Sequence, residues 1–533
     1  MIKLFRSRIL KTLLSQAGLW VPFVSLFITY LSFGDFTKRP LTAYFLCILG
    51  IILLSNSVSK KKAFLFFLFI SSFLFSITAF LEVAHWFIFN TEITESTIHI
   101  VMETTKGEST EFISSYLSPL LITVAILHLL AVLFGTVYAS RNHHLISLQL
   151  KKRSRLISVF GSLICILLII PLKAHFLPTI AVEAFTVYKV NRAQLEKLTI
   201  TENGTFKNVL HNESNEIETY VLVIGESTTS HHMGIYGYYR NTTPLLEKRK
   251  PELTIYNNVS TPFSNTKLSL GAALSLHHDN LEKKYNSTLI QLFNSAGFTT
   301  YWISNQKPIG LYETSTRLIS KKSKKSIYTD MSEVMYDEQV LVPFKKALNE
   351  KKKKKLIVLH LMGTHNMYMK RYPRKFDIFT STPKTKFHHD LAYRSINQYD
   401  NAVVYNDYII NSVIDEVEKL NSKSYVLYFS DHGEDVYETI DQACHTQEIG
   451  TKPMHDIPFL LWFSKSYRDE TSTFVFDPQR KYSLESLIHT VSDLSNITFD
   501  DYSPDKSIIN PLFVERKRTI SNGKYYEDVF SEE

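Results

Sequence analysis

Cysteine is almost missing from this chain, with three in 533 residues. Cys47 and Cys165 lie inside apolar stretches, and only Cys444 lies in the polar part. That excludes a disulfide framework and a cysteine-rich zinc site. No internal repeat is visible, so a repeat array is excluded as well. A concentrated nucleic-acid-binding patch is also lacking. The net charge is +8, but much of it sits in short Lys/Arg clusters beside apolar segments. That is the pattern of membrane topology, and no nucleic-acid partner is expected. Charge is missing from the depths of the apolar segments, apart from Glu82, which argues against a transport path.

What is present falls into two regimes, because the chain is too long for one core. Residues 1–175 are dense in Leu, Ile and Phe. Five segments, near 14–33, 41–57, 63–89, 116–139 and 155–175, approach the roughly 20 residues that a bilayer requires. Lys3, Arg6, Arg8 and Lys11 precede the first. Lys60, Lys61 and Lys62 follow the second, and Arg141, Lys151, Lys152, Arg153 and Arg155 follow the fourth. The positive-inside rule then puts the N-terminus in the cytoplasm and everything after about 176 across the membrane. The first span is too long for a signal-peptide core and lacks a small-x-small cleavage site, so it is expected to stay as an anchor. The loop 90–115 is amphipathic, a surface connection or an interfacial helix. Residues 176–218 read as a linker, and 219–533 as an extracytoplasmic domain.

In that domain, short runs such as "TYVLVIG", "FTTYWIS", "KLIVLHL" and "SYVLYFS" alternate with helical patterns. This predicts a mostly parallel sheet covered on both faces. The Lys run at 351–355 reads as a solvated loop before a strand. Four stretches could carry chemistry. "YFSDHGEDVYE" brings Asp431 and His432 to a strand end, a hard oxygen and an imidazole suited to zinc. "VLHLMGTHNMY" ends in a turn with His365. "CHTQEIGTKPMHDIPFLLW" holds His445 and His455. "YNNVSTPFSNTKLSL" leads through Ser and Thr into a helix. It is either a capping cluster or a hydroxyl nucleophile at a helix N-terminus. "VLVIGESTTSHH" invites a serine-nucleophile reading but lacks the second glycine of G-x-S-x-G. Together these suggest metal-assisted phosphoryl or sulfuryl chemistry, in which a metal makes a threonine hydroxyl usable.

"VLVIGEST…YGYYRNTTPLL", "NNVSTPFSNTKLSL", "VLHLMGTH" and "FSDHGEDVYE" together resemble the membrane-bound phosphoethanolamine transferases of Gram-negative envelopes, in the alkaline phosphatase and sulfatase superfamily. The resemblance is strongest to the branch acting on the lipopolysaccharide core heptose. It implies a five-helix transmembrane domain plus an α/β/α sandwich. It also implies an inner-membrane location with a periplasmic catalytic domain. Glu226, Asp431 and His432 match zinc ligands, and Thr266 matches the nucleophile that also binds the metal. His365 and His445 match histidines near the phosphoryl group or near a second, weaker metal. Thr104, Glu108, Asn305 and Gln306 match headgroup-contacting positions, although the family's asparagine before Thr104 is Ile100 here. Ser227 and Thr228 then become turn residues, and His231 and His232 local ones. The implied reaction moves phosphoethanolamine from phosphatidylethanolamine to Thr266, then to a lipopolysaccharide acceptor. A periplasmic glucan or lipid A is the alternative acceptor, and a polytopic scaffold the non-enzymatic alternative. A sulfatase would need C/S-x-P-x-R, which is absent around Thr266.

Overall fold

The computed structural model describes residues 10–33, 38–58, 60–103, 106–146, 152–170, 176–196, 201–212, 216–276, 286–306, 315–329, 336–468, 473–520 and 523–530. They form two compact units, Met1–Glu196 and Lys197–Glu533.

The first unit is helical: α1 (Ala17–Ser32), α2 (Lys38–Ser57), α3 (Lys61–Phe89), α4 (Glu95–Glu103), α5 (Lys106–Tyr116), α6 (Pro119–Ile146), α7 (Lys152–Ile169) and α8 (Leu177–Glu196). Among the described residues, Lys61–Phe89 and Pro119–Asn142 are long and apolar enough to cross a membrane by length and composition. Ala17–Ser32, Arg39–Ser55 and Ser154–Ile169 are shorter apolar helices, and 171–175 of the expected fifth span lie outside the described residues. Leu127, Leu130, Phe134, Ile164 and Leu167 are about half exposed, a surface that lipid solvates and water does not. The one deep charge is held inside. Glu82 is buried and accepts hydrogen bonds from Tyr44 Oη (2.5 Å), Tyr30 Oη (3.1 Å) and Leu177 N (2.7 Å).

The segment 176–218 is more than a linker. Phe176 just before α8 and Leu177, Ile180 and Ala184 on it are buried. The helix starts as an apolar stretch, Leu177–Val187, and only its second half is polar. Farther on, Leu210 and His211 pair with Thr498 and Ile497 as a short antiparallel ladder, so this stretch belongs to the second unit.

The second unit is built on seven strands: β1 (Glu218–Gly225), β2 (Leu253–Ile255), β3 (Thr299–Ser304), β4 (Lys325–Tyr328), β5 (Lys354–His360), β6 (Lys423–Ser430) and β7 (Phe459–Phe463). Their order is β2-β7-β6-β1-β5-β3-β4. All but β7 run one way. Alternation along β1 serves two cores. Tyr220, Leu222 and Ile224 pack with Leu270 of α9 (Thr266–Ala273), Leu292 of α10 (Leu289–Ser295) and Ile488. Val221 and Val223 pack with Phe344 of α11 (Leu341–Asn349) and with Ile409 and Val413 of α12 (Asp390–Glu418). A strand buried on both faces reads as a continuous apolar run, which is why "TYVLVIG" shows no polar alternation. The register sets Ile224 beside His360 of β5 and Gly225 beside Ser430 of β6. The three central strands therefore end level, and the residues just past them meet.

Glu82→Ala leaves two buried phenol hydroxyls and one buried amide without their acceptor, each costing about 1–3 kcal/mol. The unfolding midpoint in detergent should fall clearly, and fall less for Glu82→Gln, which keeps an acceptor. Equal midpoints for all three proteins would contradict a stabilising role.

Candidate active site

The chain turns sharply at the end of each central strand. After β1, Glu226 is buried and Ser227 takes a left-handed φ of 56°. Tyr399 Oη and Thr364 Oγ1 donate to Ser227 O (2.7 and 2.9 Å) and fix that turn. After β6, Asp431 and His432 are fully buried. Gly433 follows them where a Cβ would sit 2.0 Å from Pro453 O, so only glycine fits. After β5, Gly363 (φ 51°) packs on the Glu226 backbone, with room for no Cβ. Thr266 opens α9, whose N-cap Asn265 accepts from Leu268 N (3.0 Å). The four side chains converge. Thr266 Oγ1 lies 3.1 Å from both Glu226 oxygens and 3.5 Å from His432 Nε2. His432 Nε2 lies 3.1 Å from Glu226 Oε1 and 3.5 Å from Asp431 Oδ2.

Two buried carboxylates share one imidazole here, and the charges do not balance. Burial pushes Asp431 up to about 8, helped by the charge of Glu226. Burial works against the His432 imidazolium, yet Asp431 and Glu226 raise it to about 10. Burial also works against ionised Glu226, but His432, His365 and the Gln306 amide hold its carboxyl well below the usual range. Asp431 Oδ2 is a buried oxygen with no hydrogen-bond partner among the described residues. These features fit a divalent cation of zinc's type: two carboxylates, an imidazole and a hydroxyl. The ligand atoms of Glu226, Asp431 and His432 lie within 4.8 Å of one another. Donors about 2.0–2.2 Å from a tetrahedral ion stand about 3.3–3.6 Å apart, close to the spacings seen.

The His445 ring lies against His432, centroids 4.6 Å apart and tilted by 38°, and pairs through Nδ1 with Glu434 Oε2 at 2.6 Å. Glu434 is buried and also accepts from Tyr368 Oη (2.8 Å). That pair fixes the imidazole's orientation and leaves Nε2 to act. Glu434 stands inside "SDHGED", yet nothing in the spacing singles it out from Asp435. His365 sits near enough to lower Glu226 by its charge. Its loop is anchored by Asp337, which accepts from Met362 N and Gly363 N (2.8 Å each). Gln306 Nε2 donates to Glu226 Oε2 (2.8 Å) and Leu361 O (2.9 Å). Asn305 is buried, donating to Asp337 Oδ1 (2.8 Å) and accepting from Thr329 Oγ1 (2.5 Å). His455 Nδ1 bonds Thr261 O (2.9 Å). Thr104 lies outside the described residues, as do the side chains of Glu108 and Ile100.

The sulfatase family model matches residues 218–497, more than half of the chain. The chain is 33% identical over 476 residues to phosphoethanolamine transferase EptC of Escherichia coli K12, covering 82% of this chain and 81% of that protein. The crystal structure of the C-terminal periplasmic domain of Escherichia coli EptC, in complex with Zn, is similar at 37% identity with a TM-score of 0.56, covering 58% of this chain and 91% of that one. The integral membrane lipooligosaccharide phosphoethanolamine transferase A (EptA) from Neisseria meningitidis shares the fold over 94% of this chain and 98% of that one, with a TM-score of 0.67 at 21% identity. The chain belongs to the sulfatase family and, within it, to the membrane-bound phosphoethanolamine transferases.

Two outcomes follow from this geometry. In metal-free protein the raised values of Asp431 and His432 mean that the folded chain binds more protons than the unfolded one. Stability is then lost as pH rises, from about 4 towards 8 for Asp431 and from about 6.5 towards 10 for His432. Glu226, lowered, works the other way only below about pH 4. Metal-free wild type should match Asp431→Asn in thermal midpoint near pH 4 and fall below it by pH 8. Added zinc should rescue wild type only. A gap that closes with rising pH would contradict the electrostatics. Separately, Glu434→Gln should lower the transfer rate about tenfold to a hundredfold, part of what general acid–base catalysis supplies. The metal content should be unchanged, and an unaffected rate would remove Glu434 from the site.

Proposed function

We propose that this enzyme transfers phosphoethanolamine from phosphatidylethanolamine to a lipopolysaccharide acceptor, a core heptose or its phosphate, by way of Thr266. Supporting this is one observation above all. The Thr266 hydroxyl points into the carboxylate–imidazole cluster, 3.1 Å from Glu226 and 3.5 Å from His432, at the first turn of a helix. Glu226, Thr266, Asp431 and His432 would hold a tightly bound zinc, which supplies Lewis-acid stabilisation of phosphoryl oxygens and lowers the pKa of a bound hydroxyl.

The chain's own groups do the rest. Thr266 Oγ1 attacks phosphorus and its proton passes to the carboxylates beside it, while the diacylglycerol oxygen leaves. His445, oriented by Glu434, donates a proton to that leaving oxygen through Nε2. His365 lies near the same cluster and shares that duty or binds a second, weaker metal. In the return step an acceptor hydroxyl attacks the phosphorus carried on Thr266 and gives its proton to the histidine that donated, while the Thr266 Oγ1–P bond breaks and Oγ1 takes back the proton held by the carboxylates beside it. Gln306 holds Glu226 in place from behind. Thr104 and Glu108 would contact the donor headgroup. A lipid donor explains why the catalytic unit is tethered to apolar helices. The reading places the N-terminus in the cytoplasm of a Gram-negative cell and the catalytic unit in the periplasm.

Thr266→Ala should abolish diacylglycerol release from phosphatidylethanolamine vesicles, while Thr266→Ser should retain a measurable fraction. Mass spectrometry of lipopolysaccharide from cells with and without the gene should show one phosphoethanolamine gained on the core. Full activity of Thr266→Ala would refute the nucleophile, and a gain on lipid A or on glucan would refute the acceptor.

A further inference from the structure

A second concavity lies in the catalytic unit, formed by residues the reaction above does not use. It is a cleft of about 590 Å³ lined by residues 230–232, 236–239, 384–386 and 436–438 together with Asn257, Ile396 and Asp456. Its size suits a small ligand. One wall is aromatic and fixed. Tyr238 Oη donates to Asp400 Oδ2 (3.0 Å), and Asp400 is locked by His232 Nδ1 (2.6 Å) and Arg240 Nη1 (2.7 Å). Tyr239 packs edge-on to Tyr238, with centroids 4.6 Å apart, and is 44% exposed. Its hydroxyl accepts from Lys384 N (2.9 Å), which ties the 384–386 strap to the aromatic wall. Thr385 Oγ1 donates to Tyr437 O (3.0 Å) and ties the same strap to the opposite wall.

The charge pattern selects the ligand. Lys384 Nζ rests 4.8 Å over the Tyr239 ring and Lys386 Nζ 5.3 Å over the Phe387 ring. Among the described residues neither ammonium pairs with a carboxylate. The two acids of the cleft share one cation: His231 bridges Glu438 Oε1 (2.7 Å) and Asp456 Oδ2 (2.9 Å) through its two ring nitrogens. Burial opposes the charge on that imidazole, but the two carboxylates push it up to about 10, so the trio keeps a single negative charge, which the two lysines outweigh. What remains for a ligand is a half-exposed aromatic ring beside two ammonium groups that rest on rings and meet no carboxylate among the described residues. Aromatic faces take the C–H faces of sugars, and lysines take phosphate or carboxylate as point charges.

We propose that this cleft is a binding subsite for an anionic saccharide and that it holds the acceptor glycan during transfer. This rests on the transferase reading above. The connectivity favours it. His231 follows Glu226 by five residues and Tyr437 follows His432 by five, so the cleft wall begins within about 17 Å of chain from each zinc-ligand position. A saccharide chain, more than a single sugar, spans that separation.

The test uses the full chain, zinc-loaded, in lipid nanodiscs. The probe is the phosphorylated core oligosaccharide obtained by deacylating lipopolysaccharide, titrated by calorimetry. Wild type should bind it, and binding should weaken as salt rises. Lys384→Glu with Lys386→Glu, both exposed, should weaken binding at least tenfold. Tyr239→Ala should do the same, whereas Tyr239→Phe, which keeps the ring and loses only the tie to the strap, should lose clearly less than Tyr239→Ala. Loss of binding on dephosphorylating the probe assigns recognition to its phosphates, and retention assigns it to its sugar carboxylates. Unchanged binding in the charge-reversed protein, or in Tyr239→Ala, overturns the proposal. Diacylglycerol release from phosphatidylethanolamine is measured on the same preparations. If wild type releases none, the transferase reading fails, while the binding result still stands or falls alone.

Discussion

Glu226 and Asp431 lie buried around one nitrogen of a single imidazole, Nε2 of His432, and the site is built around the charge this traps. Two carboxylates in a space closed to water demand positive charge, and His432 alone does not supply enough. The strain shows in opposite shifts: Asp431 is driven towards its neutral form while Glu226 stays ionised. A divalent cation would relieve both carboxylates at once, with the Thr266 hydroxyl within 3.5 Å of Glu226 and His432. Without that cation, the same residues are a destabilising cluster.

Placing those charges together needs a particular backbone. Three parallel strands must end level, which the β1–β5 and β1–β6 registers enforce. The turns beyond them must pass closely, and Gly363 and Gly433 stand where a Cβ would collide with neighbouring backbone. A second ring of side chains then fixes the first. Gln306 braces Glu226, Asp337 anchors the loop carrying His365, and Glu434 turns His445 towards the cluster. Each of these acts through a hydrogen bond of 2.6–2.8 Å to the residue or loop it supports.

Much of this was legible in the sequence, for physical reasons. Doubly buried strands betray themselves as uninterrupted apolar runs, and a polar cluster just after such a run marks a strand's open end. Asp431 and His432 are visible on that rule, whereas Glu226 and Thr266 stand out only through the resemblance to the family, since a carboxylate after a strand and a hydroxyl before a helix are equally at home in turns and caps. Glu434 was not visible, because an orienting carboxylate differs from a solvated one only in its partner, and that partner, His445, lies eleven residues on across a turn. Asp337 was invisible for the same reason, serving a loop 25 residues away. The helix α8 was hidden because its apolar start, Leu177–Val187, runs directly into a polar stretch, and the whole segment taken together reads as polar. Asn305 and Gln306 are neighbours in sequence, but the turn after β3 sends one amide to Asp337 and the other to Glu226.

The chain belongs to the phosphoethanolamine transferases, and the central proposal is that the cluster makes the Thr266 hydroxyl the reactive one. That claim can be tested by trapping. Zinc-loaded full-length protein is mixed briefly with phosphatidylethanolamine in the absence of acceptor, quenched in acid and digested. The peptide containing Thr266 should gain the mass of one phosphoethanolamine unit and lose it again when acceptor is supplied before the quench. If that peptide stays unmodified while diacylglycerol accumulates, or if the added mass maps to a histidine, the central role given to Thr266 is contradicted.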